Sequence, residues 1–166
     1  MRILGIDPGT GILGFGVIDV KSGGGGVAGK LSLVDAGVIR TPAHTNHAER
    51  LEDIYDSLAQ IIQDTKPDVF SIEKLFFSQN ITTAMSVSEA RGVALLVAKQ
   101  NNLSIHEYAP LQIKQTLTGY GKADKKQVQE MVRIQLGLKE VPKPDDCADA
   151  LAAAITHAVR TRSHAM

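Results

Sequence analysis

The sequence has no tryptophan, a single cysteine (Cys147) and only 4% aromatic residues among 166. One cysteine excludes an internal disulfide and argues against a cysteine-type zinc site. It also suits a reducing, cytoplasmic setting. No apolar run approaches the roughly 20 residues needed to span a bilayer, and the first residues show no signal-peptide pattern. Net charge is absent too, with 18 basic against 18 acidic side chains. Neutrality argues weakly against a nucleic-acid partner. It does not exclude one, because carboxylates committed to a metal site lower the net charge without removing a basic groove. No internal repeat is visible, and the length suits one domain over 1–166.

The charge is unevenly distributed. Residues 1–83 carry 7 basic and 10 acidic side chains, and residues 84–166 carry 11 and 8. Four lysines (Lys114, Lys122, Lys125, Lys126) fall within thirteen residues whose only acid is Asp124.

Hydrophobic periodicity orders the chain as three antiparallel strands, helix, strand, helix, strand and three helices. The strands are read at 2–6, 15–20, 30–41, 68–73 and 103–108, each apolar or alternating. Helices are expected at 47–65, 82–100, 110–117, 125–138 and 145–160. The first keeps Leu51, Ile54, Tyr55, Leu58, Ile61 and Ile62 on one face. "SGGGGVAG" within 21–30 is a flexible hairpin connection, and 161–166 is expected to be a flexible tail. The layout predicts an α/β fold with a mixed five-stranded sheet flanked by helices.

Four acids stand out. "GIDPGT" ends the first strand in Asp7, which by itself fits a turn cap, a phosphate loop or a metal ligand. Glu73 ends the fourth strand in the same way, and a lone carboxylate after an apolar run is costly to desolvate. In "PDDCADALAAAITHAV", Ala148, Leu151, Ala152, Ile155 and Val159 fall within about a 100° arc, the expected buried stripe. Asp146 and Asp149 flank that stripe about one turn apart at the helix N-terminus, while Asp145 after Pro144 suits a cap. Aspartates in a first turn are common caps, and it is the strand-end acids that shift the reading toward a cluster. Four close carboxylates cannot all ionise without cations. Oxygen-only ligands favour Mg²⁺ or Mn²⁺, and a pair of such ions suits phosphodiester hydrolysis.

Five segments in order, "LGIDPGT", "IEKLFF", "EARGVALLVA", "YAPLQIKQTLTGYGKADKKQVQEMV" and "DDCADALAAAITH", resemble the RuvC family of Holliday junction resolvases over residues 2–159. The resemblance implies a ribonuclease H-like fold and a homodimer. It implies Mg²⁺-dependent paired nicking of four-way DNA junctions, alongside the RuvA–RuvB branch-migration complex. Its catalytic and metal-holding acids would be Asp7, Glu73, Asp146 and Asp149, with Asp145 a cap or neighbour of Asp146. Phe76 would stack at the opened junction centre, with Phe77 the core neighbour; loop packing is the plain alternative for either ring. Lys114 and Lys125 would lie near the scissile phosphate, joined by Lys122 and Lys126, and Arg91 would touch phosphate or an interface. The insertion at 21–30 lengthens the first hairpin beyond the usual family form.

Three alternatives compete. A RuvC-like nuclease of ribosomal RNA maturation shares the strand-end aspartate but matches the lysine segment less well. An actin or Hsp70-type ATPase needs two large lobes that 166 residues cannot supply. A non-catalytic junction-binding module would not need four acids. The small-residue helix at 82–100 is either a dimer interface or packed on its own sheet. His44 and His47 have metal-like spacing without a further ligand, His106 and His157 read as ordinary strand and helix residues, and Cys147 as a small packed one.

Overall fold

The computed structural model describes residues 1–21, 29–75 and 81–163. The chain order is β1 (Arg2–Asp7), β2 (Ile12–Val20), β3 (Leu31–Arg40), α1 (His47–Thr65), β4 (Val69–Glu73), α2 (Ile81–Gln100), β5 (Ser104–Tyr108), α3 (Pro110–Thr118), α4 (Lys125–Leu136) and α5 (Asp145–Ser163). The five strands form one sheet in the order β3-β2-β1-β4-β5. β1 and β2 pair antiparallel, as do β2 and β3, while β4 lies parallel to both β1 and β5. The expected architecture is therefore present.

Strand alternation sorts the core into two layers. Ile3 of β1 and Val69 of β4 face α3, α4 and α5, whereas Leu4, Ile6, Phe70 and Ile72 face α1 and α2. Continuing the period of two, Gly5 and Asp7 share the face of Ile3, and Ser71 and Glu73 share the face of Val69. The contacts agree, because Ser71 donates its hydroxyl proton to the Ala153 carbonyl of α5 at 2.7 Å. Both strand-end acids thus emerge on the α5 side.

Helix α5 departs from expectation. Rather than one buried stripe, it buries Cys147, Ala148 and every residue from 150 to 158, leaving Val159 half-buried. The helix lies on the sheet with α3 and α4 packed across its back, so small residues are needed almost all round. Its buried polar groups are satisfied: Thr156 donates to the Ala152 carbonyl, and His157 Nδ1 bonds the Tyr108 hydroxyl at 2.8 Å. His157 also stacks on His106 with ring centres 4.2 Å apart. Burial first, and then His106, push its pKa down to about 4. Burial likewise lifts the Cys147 thiol to about 11, which keeps it inert.

Two boundaries move for local reasons. α4 stops at Leu136 because Gly137 adopts φ 65 and caps the helix. α5 continues to Ser163, three residues into the expected tail. In α2, Ala90 and Ala94 are buried against the chain's own sheet side, so these small residues serve intramolecular packing. Among the described residues, no helix is long and apolar enough to cross a membrane.

Candidate active site

The sheet register brings the acids together. β1 and β4 run parallel, and their pairing ends at Ile6↔Ile72, so the next residues, Asp7 and Glu73, leave neighbouring strands side by side on the α5 face. Asp7 is paired across to Gly14 of β2. A Cβ placed on Gly14 would lie 2.0 Å from the Asp146 carbonyl oxygen, which puts the first turn of α5 directly against the strand beside Asp7. That turn carries Asp146, and Asp149 follows one turn along.

The electrostatics record the convergence. Burial first, then the negative charges of Asp149, Glu73 and Asp146, push Asp7 up to about 7 against the opposing Lys125 ammonium. Burial and then Asp149 raise Glu73, with Lys114 opposing. Burial also raises Asp149, although a hydrogen bond from Lys125 holds it back. Lys125 Nζ lies 3.0 Å from Asp149 Oδ2 and 3.3 Å from Asp145 Oδ2. Asp145 is displaced the other way, lowered by its bond to Lys125 and then by Gln129. Asp145 is thus an exposed counter-ion to Lys125, while Asp149 joins the crowded acids.

Two adjoining cavities meet at Glu73. One, of about 240 Å³, is lined by Glu73, Lys114, Lys125, Asp149 and Pro110 among others. The other, of about 180 Å³, is lined by Asp7, Pro8, Glu73, Lys74, Leu75 and Pro110. Lys114 and Lys125 therefore stand in the same space as the acids. Lys126 does not: it lines a separate cavity of about 470 Å³ with Tyr120, Gln127 and Met131. Lys122 is exposed on the loop before α4 and lines none of these three cavities. Phe76 and Phe77 lie outside the described residues, as does the glycine run at 22–28.

Arg91 is held by the fold itself. Its guanidinium is turned inward, with Nε donating to the Glu73 carbonyl at 3.2 Å and Nη2 paired with the Glu107 carboxylate. Only 15% of its side chain is exposed, which leaves little of it for a phosphate. Sequence reading missed Pro110 and Lys74 at the cavities, and Gly5, Gly14 and Gly16 beneath α5. Glycines inside strands were the available signal, since they mark close approach of another backbone.

The acids converge without closing on one point. Among the described residues, no three His, Cys, Asp or Glu side chains stand as a ready metal-ligating group. The donor chemistry nevertheless fits a hard cation. The four carboxylates include Asp7, Glu73 and Asp149 with raised proton affinity, so either protons or cations must offset their repulsion.

That repulsion has a measurable sign. Asp7 titrates near 3.8 when unfolded and near 7 when folded. Below about pH 4 both states hold the proton, between 4 and 7 only the fold does, and above 7 the folded chain bears the full cost of ionisation. The metal-free protein therefore loses stability as pH rises through this window. Asp7→Asn should raise Tm by about 5–10 °C at pH 8 in EDTA and leave it unchanged at pH 4. A difference that does not vary with pH would show that Asp7 is not crowded by its neighbours.

The comparisons with known proteins identify a family. The family model described as "Crossover junction endodeoxyribonuclease RuvC" matches residues 3–157. The protein of that name from Heliobacterium modesticaldum is 53% identical over 155 residues, covering 93% of this chain and 92% of the relative. The one from Chloroflexus aurantiacus is 51% identical over 158 residues, 95% of this chain and 93% of the relative. Among solved structures, Thermus thermophilus RuvC in complex with Holliday junction substrate superposes with a TM-score of 0.90 at 36% identity, covering 99% of this chain and 96% of that one. With a matching family model across most of its length and relatives above half identical, the chain belongs to the RuvC family, the crossover junction endodeoxyribonucleases.

Proposed function

We propose that the chain resolves four-way (Holliday) DNA junctions by hydrolysing one phosphodiester in each of two strands of like polarity, during homologous recombination and DNA repair. The convergence of Asp7, Glu73, Asp146 and Asp149 beneath Lys114 and Lys125 carries this reading. RuvC nucleases are metal-dependent, and here the four acids would hold Mg²⁺, as two ions in each site. Such ions, when bound, supply an activated water and neutralise charge on the leaving oxygen.

The chain's own residues do the rest. The strands hold Asp7 and Glu73 side by side, and α5 holds Asp146 and Asp149 against them. Asp7 gives up its proton near pH 7, so the site reaches its full negative charge at and above neutrality. Lys114 and Lys125 share the acid-lined cavity, where their ammonium groups offset the charge of an incoming phosphate. Lys122 and Lys126, exposed just before and within the start of α4, extend the contact to phosphates further along the strand. Phe76, three residues past Glu73, stacks on a base at the opened centre.

A two-fold junction needs two equivalent sites, which a C₂ homodimer provides. Met85, Ser88, Gly92 and Leu96 form an exposed row along α2, with Met85 59% and Leu96 51% accessible, and this face is the proposed dimer contact. The dimer works with the RuvA–RuvB complex in the cytoplasm.

The test offers a synthetic four-way junction, a linear duplex of the same sequence and a structured RNA, each with and without Mg²⁺. Paired symmetric nicks in the junction alone, lost in EDTA, are expected. Equal cutting of the duplex would overturn junction specificity, preferential cutting of the RNA would move the substrate to RNA, and activity in EDTA would remove the metal.

A further inference from the structure

We propose that Arg91 is a positioning residue for Glu73, gripping the end of β4 from the side of the sheet opposite the acids. This rests on the reading of Glu73 as a catalytic acid. Glu73 is the last residue of β4, and the β1–β4 pairing stops one residue earlier. Its carbonyl is taken up by Arg91 Nε at 3.2 Å, while the same guanidinium pairs with Glu107 on the edge strand β5. At the next residue, Lys74 N–H donates to the Tyr108 carbonyl at 2.8 Å. The peptide that follows Glu73 is thus held from α2 and from β5 at the point where the chain leaves the sheet.

The consequence is geometric. Rotation of that peptide would swing the strand end and with it the Glu73 carboxylate, which projects to the α5 side. The guanidinium fork resists rotation because it satisfies two acceptors on different elements at once. A lysine ammonium presents no such planar pair of donors. The same helix also reaches the other strand end, with Ser86 Oγ 3.4 Å from Thr10 Oγ1 in the turn after Asp7. α2 therefore contacts, from behind, both the end of β4 and the turn after β1.

The experiment compares Arg91→Gln, Arg91→Lys, Glu107→Gln and the Arg91→Gln/Glu107→Gln pair with the full-length chain. It measures the single-turnover cleavage rate at saturating junction, the junction Kd across a salt series, and Tm. The rate should fall about 10- to 100-fold for Arg91→Gln, with Kd and its salt slope unchanged. Arg91→Lys should recover little, Glu107→Gln should lose less, and the pair should be no slower than Arg91→Gln alone. A weaker Kd with a salt slope reduced by about one, and a normal rate at saturation, would make Arg91 a phosphate contact and overturn the proposal. A lower Tm with an unchanged rate would overturn it as well, leaving a purely structural role. Asp7→Asn in the same assay separates the two levels. If it cleaves normally, the site itself is misread; if it is inactive while Arg91→Gln cleaves normally, only the role of Arg91 falls.

Discussion

Asp7→Asn slows junction cleavage by at least about 10²- to 10³-fold while leaving junction binding within a few-fold of wild type. The substitution keeps the size and shape of the side chain and removes one negative charge from the most crowded position in the site. Asp7 feels Asp149, Glu73 and Asp146 at once, so its loss removes the charge that all three share. Binding survives because recognition of the junction rests on phosphates met by lysines and on junction shape, neither of which Asp7 supplies. Asp145→Asn is the matched comparison. Its carboxylate is 59% exposed and bonded to Lys125, so cleavage should drop only a few-fold. Single-turnover kinetics with both variants, alongside gel-shift binding, decide between Asp145 and Asp146 as the fourth acid. An Asp145→Asn loss as deep as that of Asp7→Asn would reverse the assignment.

Much of this site can be read from the sequence, for a physical reason. Asp7 and Glu73 follow apolar runs of strand character, and an ionised group there must have a partner. The strands and helices also announce themselves: α1 and the starts of α3, α4 and α5 fall where hydrophobic periodicity puts them, and the structure caps α1 with Asn46 and α4 with Asp124. What periodicity cannot supply is register between strands that are distant in sequence. That Ile6 pairs with Ile72, and not with a residue one step away, decides that Asp7 and Glu73 share a face. A one-residue slip would send one of them to the α2 side.

Helix α5 was misjudged for a related reason. A run such as Ala-Leu-Ala-Ala-Ala-Ile shows a stripe only if one side meets water, and here α3 and α4 cover the back. Arg91 illustrates a different limit. The resemblance at "EARG" suggests a phosphate or interface contact, and nothing local to Arg91 reveals that the Glu73 carbonyl and Glu107 lie within reach. Lys125 is the converse case, read in sequence as a contact to DNA and found bonded to Asp145 and Asp149.

Gly14→Ala should reduce cleavage about 10²-fold although it removes none of the carboxylates. The added methyl would sit 2.0 Å from the Asp146 carbonyl oxygen and 2.5 Å from its carbon, both backbone atoms that no rotamer change can clear. The first turn of α5 must retreat by more than about 1 Å to restore an ordinary contact, and Asp146 and Asp149 retreat with it. Gly5→Ala meets the middle of the same helix, with its methyl 2.1 Å from the Ala150 carbonyl oxygen and 2.8 Å from the Ala154 nitrogen. There the helix is clamped between sheet and α3–α4, so the strain cannot be relieved by tilting one end. Gly5→Ala should therefore lower Tm by more than about 5 °C, and Gly14→Ala by less, because the helix end can lift. The two glycines separate chemistry from placement in a way that the acid variants cannot. Asp7→Asn changes the charge at fixed geometry, whereas Gly14→Ala changes the geometry at fixed charge, so raising the Mg²⁺ concentration should partly recover the second and not the first. Full activity in Gly14→Ala with an unchanged melt would mean that α5 does not rest on β2, and the four acids would then need a different means of coming together.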